Sequence, residues 1–143
     1  MLEHVEFVYT AGMDEEALDE RLRAGETGVL ALADGGRAYA VPVSYYYDGE
    51  DLFFRLGDDA HSKKLDFVET TAEACFLRYG LDGEDSWSVI ATGQLRRDDG
   101  ALDAETINEQ FTSLRVFDEA IDDLELVMFR LDIETLTGRR TTG

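Results

Sequence analysis

Residues 27–47 read TGVLALADGGRAYAVPVSYYY, and this stretch sets the fold of the chain. Aliphatic, β-branched and aromatic residues dominate both halves, and Asp34-Gly35-Gly36 between them supplies the glycines that a tight hairpin turn requires at positive φ. The segment predicts two antiparallel strands, at residues 27–33 and 37–47. A second turn at Asp48-Gly49-Glu50 leads into a third strand at residues 51–56, so we expect a meander of three strands.

Three more strands are predicted by apolar runs at residues 72–79, 86–97 and 126–134. Gly93 interrupts the second of these, where a bulge or bend is expected. Helices are predicted at residues 14–24, 60–69 and 103–114, the first with Leu18 and Leu22 on one side. The sequence shows no internal repeat or linker, so we expect one domain over residues 1–143. Six strands and about three helices predict a small closed or split barrel of the α+β class.

The chain is strongly acidic, with 32 Asp and Glu against 13 Lys and Arg and a formal net charge of −19. Nucleic acids and anionic membranes are bound by clustered cations, so this charge argues against both as partners. Excess carboxylate with very little lysine is typical of halophilic proteins, because salt screens repulsion to within about 3 Å at 1 M. Since no segment approaches about 18 apolar residues and no signal peptide is visible, we expect a cytoplasmic protein.

The only two lysines are adjacent, Lys63 and Lys64, near the start of the predicted helix at residues 60–69. A helix N-terminus disfavours cations, whereas a phosphate there gains from the dipole, the free N–H groups and the lysines together. Ser62 would add a hydroxyl donor. The pattern indicates an anion site, and the alternative is that both lysines pair with neighbouring aspartates on a solvated surface.

The only proline, Pro42, stands inside a predicted strand, where it cannot donate to a ladder. One interpretation is an ordinary edge strand or bulge. The other is that this strand edge is left open, so that backbone groups of Val41, Val43 and Ser44 can meet a planar ligand.

The sequence contains no catalytic constellation that we can identify. The two histidines, His4 and His61, are too few for a histidine-rich metal site, and Cys75 is the only cysteine. We expect Cys75 to be a small buried hydrophobic residue and no metal to be bound. Chemistry would then come from an organic cofactor.

Five segments in order resemble the pyridoxamine 5′-phosphate oxidase-like split barrels, in particular their nitroimidazole-reductase-like branch. They are residues 28–32 (GVLAL), 39–45 (YAVPVSY), 52–55 (LFFR), 62–65 (SKKL) and 88–94 (SVIATGQ). Residues 134–139 also look like the closing strand of that branch. The resemblance implies a six-stranded antiparallel split β-barrel with flanking helices.

The resemblance also implies a site. In that family FMN lies at the interface of a homodimer, and a basic pair after the third strand holds its phosphate. Lys63 and Lys64 match that pair, and His61 and Ser62, which precede it, are assigned to the same site. The backbone of the proline-containing strand holds the isoalloxazine edge, which corresponds here to Val41, Pro42, Val43 and Ser44.

The implied function is an FMN-dependent oxidoreductase acting on a small organic molecule, with a nicotinamide reductant as a possible electron donor and no catalytic side chain assigned. The alternatives are a flavin-binding module for storage or sensing, a deazaflavin-dependent reductase and a haem-binding split barrel. The C-terminus lacks a clear match to the basic substrate segment of the classical oxidase, which argues against pyridoxamine phosphate as substrate. A homodimer is also expected because the strands carry more aromatic residues than one small barrel readily encloses. These residues are Tyr45, Tyr46, Tyr47, Phe53, Phe54 and Trp87.

Overall fold

The computed structural model describes residues 10–58, 71–83, 85–98 and 125–141. The elements in this part of the chain are β1 (Thr10–Gly12), α1 (Glu15–Arg23), β2 (Thr27–Asp34), β3 (Arg37–Tyr47), β4 (Leu52–Asp58), β5 (Ala74–Asp82), β6 (Asp85–Arg97) and β7 (Glu125–Thr141). No helix among these residues is long and apolar enough to cross a membrane.

The strands form one antiparallel sheet that closes on itself. Their order is β1-β7-β4-β3-β2-β5-β6, and β6 also pairs with β7, so the six longer strands make a ring. The short β1 lies outside this ring, on the C-terminal end of β7. The predicted six-stranded antiparallel split barrel is therefore confirmed.

The turn between β2 and β3 forms as the sequence predicts. Asp34 pairs with Arg37, and the two residues between them, Gly35 and Gly36, have φ of 53° and 88°. Positive φ at both central positions gives a turn whose twist matches that of the flanking strands. The hairpin therefore sets the register of β3 against β2.

A bulge bends β6 where the sequence places Gly93. The register between β6 and β7 shifts between Thr92 and Gly93. A Cβ on Gly93 would lie 1.9 Å from the carbonyl oxygen of Asp132 and 3.1 Å from the amide nitrogen of Glu134. Glycine is required here because the backbone of β7 approaches too closely for any side chain.

Helix α1 closes one end of the barrel. Asp14 is its N-cap and accepts a hydrogen bond from the backbone N–H of Ala17 at 2.9 Å. Leu18 and Leu22, the apolar positions predicted from the sequence, are both buried and join the core inside the ring. The core is filled from the strands by large side chains such as Phe54 and Phe76, whose ring centroids lie 5.2 Å apart.

Two strands differ from the prediction, one by its presence and one by its length. β1 was not predicted, because three residues of mixed character carry no periodic signal. β7 extends to Thr141, beyond the bound at residue 134 that periodicity predicts, because its threonines and glycine continue to pair with β6. The extension includes residues 134–139, which resemble a closing strand. The predicted helices at residues 60–69 and 103–114 lie outside the described residues.

Candidate functional site

The N-terminal half of β3 has an open edge. β2 pairs with Arg37–Ser44 on one side, whereas β4 pairs only with Ser44–Tyr47 on the other. Among the described residues, no strand lies against the second side of residues 37–43. We call this side of residues 37–43 the open edge.

The ladder determines which backbone groups face the open edge. The N–H of Tyr45 donates to the carbonyl of Glu26 at 3.0 Å, on the β2 side. Because residues alternate in an antiparallel ladder, Val41 and Val43 also direct their N–H and C=O groups toward β2. The even-numbered residues between and before them direct theirs to the other side. Pro42 therefore loses no bond to β2, and this explains how a proline is accommodated inside a long strand.

Three residues present backbone groups along the open edge: Ala38 and Ala40 with both N–H and C=O, and Pro42 with its C=O. All three are exposed. Val41 and Val43, assigned to the site from the sequence, are buried in the core and support the edge from below. Which residues of β3 direct their backbone groups to the open edge follows from the pairing of β3 with β2. The sequence alone does not determine that pairing.

Ser44 lies where the open edge ends and the pairing of β3 with β4 begins. It is buried, and its pairing partner on β4 is Arg55. The Arg55 side chain is half-buried, and burial lowers the pKa of its guanidinium, which nevertheless stays charged at neutral pH. The open edge thus ends beside a cation. The other predicted site residues, His61, Ser62, Lys63 and Lys64, lie outside the described residues.

From the open edge across β2 and β5 to β6, the outer positions that the structure describes carry no charged residue. Outer positions are those that alternate with the buried residues of each strand. On β2, residues 38–42 of β3, β5, and residues 86–92 of β6, no outer position holds Asp, Glu, Lys or Arg. Prominent members of this surface are Val29, Pro42, Leu77, Tyr79, Leu81 and Ile90. We call it the uncharged face.

The uncharged face is unusual in this chain because 31% of all residues are charged. It also exposes large apolar side chains, since Tyr79 is 62%, Leu81 77% and Ile90 40% accessible. Solvated surfaces of acidic proteins are expected to carry carboxylates, and apolar patches of this kind mark contact surfaces. A surface of this composition is suited to contact with another molecule.

Four of the six aromatic residues considered for a partner contact, Tyr45, Tyr47, Phe53 and Phe54, are buried within the chain. The other two, Tyr46 and Trp87, are half-buried, and a partner contact for them stays a prediction. Rings from different strands pack edge to face inside the barrel, as Tyr45 on β3 and Phe76 on β5 do with ring centroids 4.9 Å apart.

Arginines hold α1 against the barrel, an arrangement that the sequence did not reveal. Arg78 donates to the carbonyls of Arg21 at 2.6 Å and Thr27 at 3.0 Å. The Arg21 guanidinium lies 4.4 Å from the ring centroid of Trp87, and that of Arg78 lies 5.3 Å from it. Both contacts are cation–π interactions. Trp87 is therefore engaged in the docking of α1.

Two further groups that could take part in chemistry are the Tyr45 phenol and the Cys75 thiol, and both are held in their neutral forms by burial. Tyr45 donates its hydroxyl to the carbonyl of Leu22, and burial raises the pKa of the phenol. Burial, with the nearby charge of Glu73, also raises the pKa of the half-buried Cys75 thiol, so it is protonated at neutral pH. No cluster of metal-ligating side chains occurs in the described ranges.

Comparison with known proteins gives a family match and a set of similar folds. The family described as pyridoxamine 5′-phosphate oxidase matches residues 14–140. No curated protein sequence matches at a significant level. A FAD-binding protein from Mesorhizobium loti has a TM-score of 0.72 and 18% identity, over 96% of this chain and 100% of that one.

Two further structures share the fold. The FAD binding protein from Mycobacterium smegmatis gives a TM-score of 0.69 at 17% identity, over 91% of this chain and 97% of that one. The flavocytochrome Anf3 from Azotobacter vinelandii gives 0.66 at 15% identity, over 92% and 70%. At 15–18% identity these structures show only that the fold is shared. The match to the family over residues 14–140 shows which family the sequence belongs to. This chain belongs to the pyridoxamine 5′-phosphate oxidase family.

Proposed function

We propose that this chain is a homodimeric FMN-binding oxidoreductase that holds the edge of the flavin ring along the open edge of β3. The observation that carries the proposal is the open edge itself, a row of exposed backbone groups bordered by an uncharged, apolar surface. A flavin is planar, apolar over its rings and edged with hydrogen-bonding atoms. These are the properties that the open edge and its surroundings complement. The similarity in fold to two FAD-binding proteins supports a flavin.

The ring edge would meet the N–H and C=O of Ala40 and the C=O of Pro42. Lys63 and Lys64, predicted from the sequence to hold the phosphate, follow β4 along the chain. The bound flavin would supply the redox chemistry by accepting and passing on electrons. The protein would supply orientation and an apolar surface that excludes water, since the described residues offer no acid–base pair.

A second copy of the chain is the partner that best fits the uncharged face. Each copy carries a net charge of −19, so two copies repel each other wherever their carboxylates meet. The uncharged face is a surface through which they can approach without that repulsion, and it buries Tyr79, Leu81 and Ile90 if they do. Because this face adjoins the open edge, a partner would also cover the flavin site.

Two other functions are each favoured by a particular observation, and a third would use the same site. A flavin-binding module without turnover is favoured by the lack of a catalytic pair among the described residues. A haem-binding split barrel is favoured by the fold that this chain shares with a flavocytochrome. A deazaflavin-dependent reductase would use the same open edge. The absorption spectrum of the bound cofactor separates haem from the flavins.

The phosphate site is tested by replacing Lys63 and Lys64 together with methionine. Loss of two charge-assisted contacts, each about 1.5–3 kcal/mol, should weaken FMN binding at least about tenfold, measured by quenching of flavin fluorescence. The matched control is Lys63→Arg with Lys64→Arg, which keeps both charges and should bind nearly as tightly as the native protein. Equal affinity in the methionine variant would show that the lysines are only solvated surface residues.

A further inference from the structure

Two arginines and one aspartate form a cluster on the outer surface of β6 and β7. The Nε of Arg96 lies 2.8 Å from one carboxylate oxygen of Asp132, and the Nε of Arg130 lies 2.9 Å from the other. Arg96 and Arg130 are direct cross-strand partners. A single carboxylate therefore bridges two guanidinium groups that stand opposite each other.

Counted over the part of the chain that the structure describes, this cluster has two positive charges and one negative charge. Like charges directly opposite on neighbouring strands destabilise a sheet, and one carboxylate neutralises only one of the two arginines. The Nε of Arg130 is buried and makes no hydrogen bond, since its contact with Asp132 is close but poorly directed. By contrast, Arg23 and Asp19 on α1 form a one-to-one pair at 2.8 Å. Within the described ranges, the cluster therefore holds one guanidinium group more than it holds carboxylates.

The cluster is open to solvent and lies close to the proposed flavin site. The Arg96 side chain is 59% and the Arg130 side chain 36% accessible. Arg130 pairs with Phe53 on β4, two residues from Arg55, which pairs with Ser44 at the end of the open edge. Among the described residues, Arg55 therefore lies between the cluster and the end of the open edge.

We propose that Arg96 and Arg130 form a second anion-binding site, which takes a phosphate group of a dinucleotide. Planar guanidinium groups match the geometry of phosphate oxygens, and two of them can span adjacent phosphates. FMN has one phosphate, which the proposed function assigns to Lys63 and Lys64. A dinucleotide has a second, supplied either by the adenylate half of FAD or by a nicotinamide dinucleotide donor. This assignment of the ligand rests on the proposed flavin function, whereas the anion site itself does not.

The site is tested first without any flavin. Inorganic pyrophosphate is titrated into the apoprotein and followed by the shift in melting temperature. Arg96→Gln should weaken the apparent affinity by about tenfold. Asp132→Asn should strengthen it, because the competing carboxylate is removed. The control, Arg23→Gln, removes a charge that is already paired and should leave the affinity unchanged.

The opposite signs distinguish this proposal from a purely structural ion-pair cluster. If the cluster only holds β6 to β7, both variants lower the melting temperature and neither changes the pyrophosphate response in the predicted direction. Unchanged pyrophosphate affinity in Arg96→Gln, or weakened affinity in Asp132→Asn, would overturn the proposal.

The source of the phosphate is tested next by comparing FMN, FAD and NADH binding to native protein and Arg96→Gln. Weaker FAD binding with unchanged FMN binding assigns the site to the cofactor, and weaker NADH binding assigns it to the donor. If the variant binds all three as tightly as the native protein, the dinucleotide assignment is refuted. If the native protein binds no flavin, the proposed function fails, and the pyrophosphate titration still decides whether the anion site exists.

Discussion

Single residues in this barrel are constrained most strongly where backbones approach each other. Gly93 is the clearest case, because the carbonyl of Asp132 occupies the place where a side chain would begin. Pro42 is a different case, because a proline is accommodated there only since its position needs no N–H for the ladder. Both residues were singled out from the sequence, and the structure supplies the physical reason for each.

We predict that Gly93→Ala destabilises the fold by about 2–4 kcal/mol, because the added Cβ forces β6 and β7 apart at the bulge. Urea denaturation followed by the fluorescence of the single tryptophan, Trp87, measures this. The control is Gly12→Ala in β1, where a Cβ would meet no atom within 4 Å and the change should be small. Equal stability of the two variants would mean that the bulge relaxes freely.

The elements that the sequence predicts best are those whose turns contain glycine. β2, β3 and β4 begin and end close to their predicted bounds, because Gly35, Gly36 and Gly49 adopt the positive φ that the turns require. β1 was missed because its pairing with β7 is a long-range contact without a local pattern. The open edge was anticipated as one of two interpretations of Pro42, but the residues that face it could not be assigned without the register.

The uncharged face also could not be predicted from the sequence, because it depends on how the strands pair in the sheet. Its residues are scattered over four segments of the sequence, and two of these segments, β2 and β5, contain charged residues at other positions. Only the register, which aligns Val29 with Leu77 and Leu77 with Ile90, places them on one surface. Periodicity within a strand shows which residues share a side, but not which strands lie next to each other.

The open edge of β3 can be tested by proline substitution. Ala40→Pro removes an N–H on the open side without removing a bond to β2, and it places a ring carbon where the ligand would lie. We predict a folded protein with flavin affinity reduced about three- to tenfold or more. Flavin fluorescence titration measures the affinity, and circular dichroism measures the fold.

Val41→Pro is the control for the ladder, since its N–H donates to β2. This variant should lose about 3 kcal/mol of stability or fail to fold. If Ala40→Pro folds and binds flavin as tightly as the native protein, the ring does not lie along the open edge.

At the scale of the whole molecule, charge is arranged unevenly. The chain carries 32 acidic residues, yet the uncharged face has none at its outer positions. We predict that Leu81→Glu, which adds a carboxylate to this face, converts the dimer to a particle of 16.0 kDa in light scattering. Ala72→Glu, an exposed position outside the face, should leave the mass at twice that value. A native protein that is already monomeric would refute the dimer.

Salt should stabilise the fold, because repulsion among the carboxylates extends over about 30 Å at 0.01 M salt and only about 3 Å at 1 M. The melting temperature of the apoprotein should rise with KCl over this range, and FMN affinity should rise with it, since the phosphate approaches an acidic body. Flat curves for both quantities would mean that the carboxylates are locally compensated and that the chain is not adapted to high salt.

The central claim is that this family member binds a flavin, and the visible absorption spectrum of the protein tests it most directly. The protein is purified in about 1 M KCl, which screens its own charge, and is then titrated with FMN and separated from free ligand. We predict a yellow protein with the two absorption bands of an oxidised flavin and one flavin for each chain. A Soret band, or a colourless protein that retains no flavin, would contradict this account.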